Sequence, residues 1–421
     1  MVSCFGGFDL FSDNRMANQA AFKSLSLSPA GTLELARKLR AQSPNTFGST
    51  LCQQLKTWSA ALPVALMGLG PDQQRLWVKD AMNQSLSGSW AWRACTGSED
   101  SLVCTDYLRA GARAIRLDGL VNLGPCARDP DFLVLPLRQV LPGAEWRAGL
   151  CVLILSGAAD GIHIHTGARL AGFIDCPVRS VEFRSFEVPV DAWLAMPVGT
   201  QIMAEHAWLL QCAVALHAAH GLADQAARIV ADFLRSRVLY GQPAINLAQV
   251  RHTLAEIEMQ MMVSELFARS GLALNSTSEK DVCQAQALCW HARELLFAAM
   301  EQLGVLLGAR SFVRSGIEGQ FQFLQTVLRT TLLTFCAMDE SRDGVLPRVQ
   351  ILHERASLFA TEQSFLLSGH DPLDRPVHAG ITAALHAYCG HGAVPRGEVA
   401  ELLIQSLLER GDHALVSRDA I

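Results

Sequence analysis

Four long segments of helical periodicity, joined by short links, constrain the fold of this chain more than any other feature of its sequence. The fourth segment, residues 317–335, places large apolar side chains on one helix face, namely Ile317, Phe321, Leu324, Leu328 and Phe335. The other three span residues 203–239, 244–270 and 278–307. Helices this long with apolar faces need one another as packing partners, so the sequence predicts a four-helix bundle over residues 200–346.

The apolar composition of the chain raises the question of a membrane span, since 50% of the residues are hydrophobic and only 18% are charged. The best candidate, residues 207–223, lacks Asp, Glu, Lys and Arg but contains Gln211, His217 and His220. It is also shorter than the roughly 20 apolar residues that cross a bilayer. We therefore predict no membrane span, and we interpret this segment as a helix buried on all sides.

Regions of different character flank the predicted bundle. Residues 1–86 show amphipathic helical patterns, which predict an N-terminal helical domain. Residues 87–199 contain short strand-like runs separated by Gly, Pro and Asp, which predict a small and mostly antiparallel middle β-domain. Within it, the alternation of apolar and polar residues breaks at Ser185 and Phe186, where a β-bulge would fit. Residues 347–421 add a helical tail, so the predicted fold class is α+β and mainly α.

Charge and cysteine content restrict the partners and the compartment. The formal net charge is -5, and arginines are interspersed with Asp and Glu, so no basic stripe indicates a nucleic-acid partner. The twelve cysteines include no C-x-x-C pair, which favours buried free thiols over disulfides or zinc. Because the N-terminus shows no basic segment before an apolar core, we expect a cytoplasmic protein.

Histidines are the candidate metal ligands. His163 and His165 would lie on the same side of a strand at a metal-ligand spacing, but no third ligand is identifiable and strand histidines commonly face solvent. We therefore predict no metal site. His217 and His220 lie nearly one turn apart on the first bundle helix, where we expect buried, hydrogen-bonded imidazoles, with a histidine facing an active site as the alternative.

Several segments resemble those of one enzyme family. The block Arg237-Val238-Leu239-Tyr240-Gly241-Gln242-Pro243 resembles the R-x-x-F-G-x-P block of acyl-CoA dehydrogenases, and Leu254-Ala255-Glu256-Ile257 resembles the L-A-D-M helix that follows it. Leu117-Asp118-Gly119 is similar to the L-N-G turn of that family's β-domain, and residues 308–312 lie where the family has G-G-x-G-Y. With the order of helical region, β-domain and bundle, the resemblance covers about residues 30–341.

This resemblance implies an FAD-dependent oxidoreductase that acts on an acyl thioester of coenzyme A or of an acyl carrier protein, assembled as a homodimer or homotetramer. In the family, the flavin lies against the β-domain, and its diphosphate and adenine reach the bundle of a neighbouring subunit. By this likeness the cofactor-binding candidates are Thr96, Ser98, Arg237, Tyr240, Gly241 and Gly308. Arg237 would pair with the diphosphate, whereas a helix-end ion pair is its alternative role. Thr96 and Ser98 would hydrogen-bond the flavin ring, or else serve only as turn residues.

The catalytic base of the family is usually a glutamate, which removes the α-proton of the acyl thioester. Counting without gaps from Gly308 places this position at Leu332, and the alternative position used by some members falls near Gln211. A gapped alignment places Asp339 at the base position, so Asp339 is the candidate base, with a solvated linker carboxylate as its alternative reading.

Two further departures keep three functions open. The family's T-E-P-x-x-G-S-D loop is represented only by residues 96–100, and its W-I-T strand corresponds to Leu123-Gly124-Pro125. The first function is an acyl-CoA dehydrogenase-like oxidoreductase. The second is a flavin-dependent monooxygenase on the same scaffold, which needs no glutamate base. The third is a non-catalytic binding or scaffold member of the family.

Overall fold

A computed structural model describes residues 36–37, 39–40, 48, 51–56, 59–60, 88–90, 103–109, 112–126, 129–140, 146–154, 160–188, 193–195, 200–273, 279–313 and 315–336. These residues divide into two compact units. The first consists mainly of Thr46–Gln211, and the second combines Leu35–Asn45 with Cys212–Leu274 and the chain from Cys283 onward. The predicted helical tail, residues 347–421, lies outside the described residues.

Two four-stranded sheets form the first unit. In one sheet, β1 (Gly88–Trp90), β4 (Phe132–Val140), β5 (Trp146–Ile154) and β8 (Trp193–Ala195) follow one another in that order. In the other, the order is β2 (Val103–Arg109), β3 (Ala112–Pro125), β7 (Phe173–Val188) and β6 (Ile162–Leu170). Apart from the parallel pair β1 and β4, the pairings within these two sheets are antiparallel. The antiparallel character agrees with the sequence prediction.

A β-bulge lies in β7 where the sequence pattern loses its phase. Leu117 of β3 pairs with Phe186 and Gly119 pairs with Phe183, so two residues of β7 face Asp118 alone. Ser185 adopts a left-handed φ of 48°, and its backbone N–H donates to the Asp118 carboxylate at 2.6 Å. The predicted bulge is thus confirmed. Residues 117–119, which resemble the family's L-N-G turn, continue β3 in this chain, and Asp118 satisfies the bulged backbone of β7.

Tight packing between sheet residues leaves no room for side chains at Gly88. A Cβ atom at this position would lie 2.2 Å from Cζ of Phe132, on the strand paired with β1. Phe132 itself is only 1% exposed, so the ring has no free space into which it can move. Glycine is therefore required at position 88, because the ring of Phe132 fills the volume that a side chain there would take.

Four helices supply most of the described second unit: α1 (Thr200–Ser236) from Cys212 onward, α2 (Ala248–Ala273), α3 (Glu279–Leu307) from Cys283 onward, and α4 (Gly316–Phe335). Side-chain hydrogen bonds join them, for example from Ser264 of α2 to the Ala292 carbonyl of α3, and from Cys212 of α1 to the Phe335 carbonyl of α4. Residues 212–223 of α1 are buried without exception, as predicted for this apolar stretch. The helices match the predicted segments to within about four residues at each end.

One difference in helix bounds, at the end of α1, replaces predicted helix with strand. The sequence predicts a helix that continues to Leu239, but α1 ends at Ser236 and the chain then forms two short antiparallel strands, β9 (Val238–Leu239) and β10 (Gln242–Pro243). Tyr240 and Gly241 connect them with φ of 52° and 78°. Two successive positive φ values are typical of a type I′ hairpin turn, which a helical pattern of apolar residues cannot anticipate.

By length and composition, one described helix, Ala285–Phe312, could cross a membrane, a test that core helices of soluble proteins also pass. Its buried apolar residues follow the spacing of a single helix face, including Ala285, Ala292, Leu296, Ala299 and Leu303. Val305, by contrast, is 76% exposed. A one-sided pattern of this kind is typical of a helix that packs against a protein core along one stripe.

Candidate functional site

The hairpin after α1 carries three of the predicted cofactor ligands. The backbone N–H of Arg237 donates to the Phe233 carbonyl at 2.9 Å, and the Arg237 carbonyl accepts from the N–H of Ala244 at 2.7 Å. These two bonds fix both ends of the hairpin. Its tip exposes Tyr240, which is 92% accessible in a left-handed conformation that is unfavourable for a bulky residue. A Cβ atom on Gly241 would meet nothing within 4 Å, so its backbone is open to a ligand.

Two guanidinium groups share one aromatic ring near this hairpin. The Cζ atom of Arg237 lies 5.4 Å from the ring centroid of Phe233, and that of Arg310 lies 5.1 Å from the same centroid. Both arginines are exposed, and Arg237 has no ion-pair partner among the described carboxylates. The helix-end ion pair considered as an alternative role is therefore not seen within the described chain. Two positive charges held on one ring form a site suited to a phosphate or diphosphate.

The turn that carries Arg310 also contains the predicted ligand Gly308. A 3₁₀ turn, Gly308–Phe312, follows α3, and Gly308 opens it with a φ of 62°. No atom lies within 4 Å of the position that its Cβ would take. The Gly308 carbonyl accepts a hydrogen bond from Ser311 Oγ at 2.7 Å, which stabilises the turn. Gly308, Arg237 and Arg310 thus combine exposed backbone with positive charge, as the diphosphate half of a dinucleotide requires.

The segment that corresponds to the W-I-T strand has a different backbone chemistry. The N–H of Gly124 donates to Asn122 Oδ1 at 2.8 Å, and Pro125 has no N–H. Neither residue can donate a backbone hydrogen bond to a flavin ring. Thr96 and Ser98, the other predicted contacts of the ring, lie outside the described residues. The described chain therefore fits the diphosphate of FAD better than it fits the isoalloxazine ring.

The three positions considered for the catalytic base differ in how far the structure describes them. Leu332 has no proton-accepting group and is fully buried in α4 as a core residue. Gln211 lies in α1 and carries no carboxylate. Asp339, the candidate base, lies outside the described residues. Glu258 in α2 is a fully buried carboxylate that the sequence pattern did not single out.

Metal binding is not supported in the part of the chain that the structure describes, where no group of three or more His, Cys, Asp or Glu side chains is arranged to hold an ion. His165 instead lies 2.9 Å from the Glu182 carboxylate, with its Nε2 atom next to Oε2. Arg184 donates to both oxygens of Glu182, at 2.8 and 2.9 Å. Hydrogen bonds from Arg184 and then from His165 lower the pKa of Glu182 to about 2. A carboxylate held ionised in this way is a poor general base near neutral pH.

An open cavity of about 470 Å³ lies against the second sheet, where it contacts β3, β6 and β7. Its lining includes His165, Glu182, Leu120 and Phe183. Every residue from His163 to Arg169 of β6 is exposed, so within the first unit neither face of this strand is covered. Among the described residues that line the cavity, the charged groups are those of the Glu182 ion-pair cluster. We assign the cavity no ligand.

His217 and His220 are buried, as predicted for core histidines. His217 is 2% exposed, its Nδ1 lies 2.8 Å from the Ala213 carbonyl, and its Nε2 has no hydrogen-bond partner among the described residues. His220 Nε2 lies 3.1 Å from Ser264 Oγ, whose proton is donated to the Ala292 carbonyl at 2.7 Å. His220 must then donate from Nε2, which fixes its tautomer. Burial lowers the pKa of His217 to about 4, so it is neutral at physiological pH.

Comparison of the sequence with protein-family models and with curated proteins finds no match. Solved structures do match. An acyl-CoA dehydrogenase complexed with FAD from Bacillus anthracis is 15% identical, with a TM-score of 0.59 over 93% of this chain and 70% of that one. Butyryl-CoA dehydrogenase from Megasphaera elsdenii is 13% identical, with a TM-score of 0.57 over 73% and 78%. The chain has the acyl-CoA dehydrogenase fold.

An enzyme of different chemistry is equally similar. Dibenzothiophene monooxygenase from Paenibacillus sp. A11-2 is 18% identical, with a TM-score of 0.55 over 77% of this chain and 81% of that one. Since the acyl-CoA dehydrogenase fold serves both reactions, the fold alone does not select between them. Which of the two reactions a protein of this fold catalyses depends on the side chains at its active site.

Within the acyl-CoA dehydrogenase fold, sequence reasoning missed two charged residues that the structure makes prominent. Arg310 lies inside the recognised 308–312 segment, but its approach to Phe233 depends on how α3 packs against the end of α1. Lys56 is 7% exposed and bonded to the Leu123 carbonyl, at the segment that resembles the flavin-contacting strand. The signal available in the sequence was Lys56 itself, a lysine within an apolar helical pattern in a chain that has few lysines. A lysine that is buried in such a pattern needs a bonding partner.

Proposed function

We propose that this protein is a flavoprotein oxidoreductase of the acyl-CoA dehydrogenase type, with an acyl thioester of coenzyme A or of a carrier protein as substrate. The pair of guanidinium groups on Phe233 carries the proposal. Arg237 and Arg310 would hold the diphosphate of FAD, next to the open backbone of Gly241 and Gly308. The bound flavin would supply the hydride acceptor. Exposed Tyr240 would lie beside the same cofactor.

Loss of either guanidinium should weaken FAD binding. Arg237→Ala and Arg310→Ala should each raise the Kd by about 10- to 100-fold, because a charge-assisted hydrogen bond contributes about 1.5–3 kcal/mol. Titration of the apoprotein, followed by quenching of flavin fluorescence, measures this effect. Arg235→Ala is the matched control, since Arg235 is exposed in the last turn of α1, two residues before Arg237, and pairs with Asp232 at 3.2 Å. Wild-type protein that stays colourless and binds no added FAD would contradict the proposal.

Asp339 is our candidate for the base that removes the α-proton. Its support is the gapped match of Met338-Asp339-Glu340-Ser341 to the family's base segment, together with the burial of Leu332 at the ungapped position. Asp339→Asn should slow anaerobic bleaching of the flavin by an acyl thioester by about 100-fold, the lower end of the range for general-base catalysis. Glu340→Gln is the control and should bleach at the wild-type rate. Equal rates for Asp339→Asn and wild type would exclude Asp339 as the base.

A flavin-dependent monooxygenase is the second candidate function. It is favoured by the similarity to dibenzothiophene monooxygenase and by the base positions at Leu332 and Gln211, neither of which carries a carboxylate. Reduced flavin supplied to the protein should then drive oxygen consumption that depends on an organic substrate, and acyl thioesters should leave the flavin oxidised. The dehydrogenase proposal expects the opposite result in both assays.

We also propose that the protein forms a homodimer or homotetramer and resides in the cytoplasm. Large apolar side chains on the surface of the second unit support the assembly, namely Val305, Phe312, Phe323 and Leu333. The six cysteines whose side chains are described are all buried free thiols, which suits a reducing compartment. A non-catalytic scaffold role stays the alternative if no flavin binds.

A further inference from the structure

Side chains from two other helices bind the C-terminal end of α4. The Cys212 thiol of α1 donates to the Phe335 carbonyl at 3.3 Å, and the Cys336 thiol donates back to the Cys212 carbonyl at 3.4 Å. On α3, Nη1 of Arg293 donates to the Cys336 carbonyl at 3.2 Å. The last carbonyls of a helix have no partner within it, so these side chains satisfy two that α4 leaves open. The end of α4 is therefore attached to α1 and to α3.

The attachment to α3 is charge-assisted and hence stronger than that of a thiol. The Arg293 side chain is 9% exposed, and its Nε and Nη2 atoms lie 3.0 and 2.9 Å from Oε1 of Glu294. Glu294 is 44% exposed, so it binds the guanidinium from the surface while Nη1 binds the end of α4. The last turn of α4 has no basic residue of its own. Because the C-terminus of a helix carries a partial negative charge, Arg293 supplies the cation that this turn lacks.

Two of the chain positions considered for the catalytic base are close in sequence to this attachment. Gln211 immediately precedes Cys212, and Asp339 follows Cys336 by three residues. Three residues of extended chain span at most about 11 Å, so the backbone of Asp339 cannot lie farther than this from the fixed end of α4. The place where α4 is held therefore limits where the Asp339 carboxylate can reach.

We propose that Arg293 is a positioning residue for the catalytic base. By binding the Cys336 carbonyl, its guanidinium fixes the point from which the chain leaves α4 toward Asp339. A general base acts only within hydrogen-bond reach of the proton that it removes, so a base on a chain segment with a fixed start is held in fewer unproductive positions. Arg293 acts through the chain and takes up no proton itself. This role rests on the proposed dehydrogenase function and on Asp339 as its base.

Hydrogen exchange of the full-length protein tests the attachment without flavin. In Arg293→Met, the amides of the last turn of α4, residues 332–336, should exchange about tenfold faster than in the wild type, because the helix end loses a charge-assisted hydrogen bond. Arg329→Met is the matched control, since Arg329 is exposed and its pair with Glu301 joins the same two helices at 3.0 Å. It should exchange like the wild type. Unchanged exchange of residues 332–336 in Arg293→Met would overturn the proposal.

Anaerobic bleaching of the FAD-loaded protein tests the consequence for proton removal. The probes are straight-chain acyl thioesters of coenzyme A and of pantetheine. At saturating thioester, Arg293→Met should be bleached about 10- to 100-fold more slowly than the wild type, because a small misplacement of a catalytic group is enough for such a loss. The thioester concentration at half-saturation should stay close to the wild-type value, since substrate binding is not affected. Arg293→Lys can donate to the same carbonyl and should recover most of the rate.

The outcomes separate failure of this role from failure of the proposed function. Wild-type protein that binds FAD but is bleached by none of the thioesters contradicts both. A wild type that is bleached no faster than Arg293→Met overturns the positioning role alone, and so does a slow Arg293→Met that Arg293→Lys fails to restore. If Arg293→Met does not fold, Arg293→Gln, which retains an uncharged N–H donor, replaces it in both assays with the same expected direction.

Discussion

Replacing Arg40 with methionine is expected to lower the free energy of unfolding of the second unit by roughly 3–5 kcal/mol. Arg40 binds two carboxylates on different bundle helices. Its Nε and Nη2 atoms each lie 2.9 Å from Asp224 Oδ2, and Nη1 lies 2.8 Å from Glu265 Oε1. All three side chains are largely buried, with exposed fractions of 21%, 15% and 14%. Removal of the guanidinium would leave two partly desolvated carboxylates facing each other across the vacated space.

The charge balance explains why Arg40 tolerates this environment. Burial alone would lower the pKa of Arg40, but the attraction of Asp224 and then of Glu265 outweighs burial and raises it. Glu265 retains a second cation in the variant, since Arg269 Nη2 lies 2.5 Å from its Oε1. Asp224 would lose both hydrogen bonds from Arg40. The loss of stability should therefore arise from the lost contacts of Arg40 with both Asp224 and Glu265.

An exposed pair on the same bundle provides the control for Arg40. Arg329 and Glu301 lie 3.0 Å apart with side chains 55% and 60% exposed. Arg329→Met should lower stability by less than about 1 kcal/mol, as is usual for solvated ion pairs. Urea denaturation followed by helical circular dichroism compares the two variants. Equal denaturation midpoints for both would show that the Arg40 network contributes no more than a surface pair.

Acid should destabilise the bundle through His217. Burial lowers the pKa of His217 from 6.5 to about 4, and no hydrogen bond to its buried Nε2 is seen among the described residues. Between pH 6.5 and about 4, the unfolded chain binds a proton at this site and the folded chain does not. Stability therefore falls as the pH falls through this window, by roughly 3 kcal/mol in all, since each tenfold change in proton affinity corresponds to about 1.4 kcal/mol.

A variant without the imidazole isolates this contribution. His217→Leu keeps an apolar side chain in the same buried space and removes the titration, so its stability should change less than that of the wild type between pH 7 and pH 4.5. Carboxylates also titrate in this range, and the comparison between variants cancels their effect. His163→Gln, at an exposed strand position, should keep the wild-type pH dependence. A wild-type pH dependence in His217→Leu would mean that His217 is not the group responsible.

The elements of the bundle were predictable because their signal is local. An apolar residue every three or four positions predicts α4 from Ile317 to Phe335, and the helix spans Gly316–Phe335. The phase break at Ser185 likewise predicted the bulge. Strand β2, Val103–Arg109, escaped prediction because its sequence VCTDYLR shows no clear alternation. The end of α1 was missed for a different reason, since Leu239 continues the apolar pattern and only a hairpin turn at residues 240–241 explains why the helix stops earlier.

The candidate site was less predictable than the fold. The Arg237 block predicted one end of a cofactor site from sequence, and Thr96, Ser98 and Asp339 are further predictions, which lie outside the described residues. Arg310 entered the site only when the structure placed it over Phe233. A short sequence motif identifies the backbone around one ligand of a site. A second cation that another element contributes, such as Arg310, has no fixed sequence spacing from the first, so the motif does not reveal it.

By itself, the sequence determined the order of the helical and strand-rich regions, the apolar helix faces that drive packing, and the resemblance to one enzyme fold. The tertiary structure alone decided which distant residues meet, such as Arg40 with Asp224 and Cys212 with Phe335. The physical reason is that periodicity is set by the geometry of a single helix or strand and is written in neighbouring residues. Contacts between elements depend instead on how whole faces pack, and many sequences with the same periodicity would bring different side chains together.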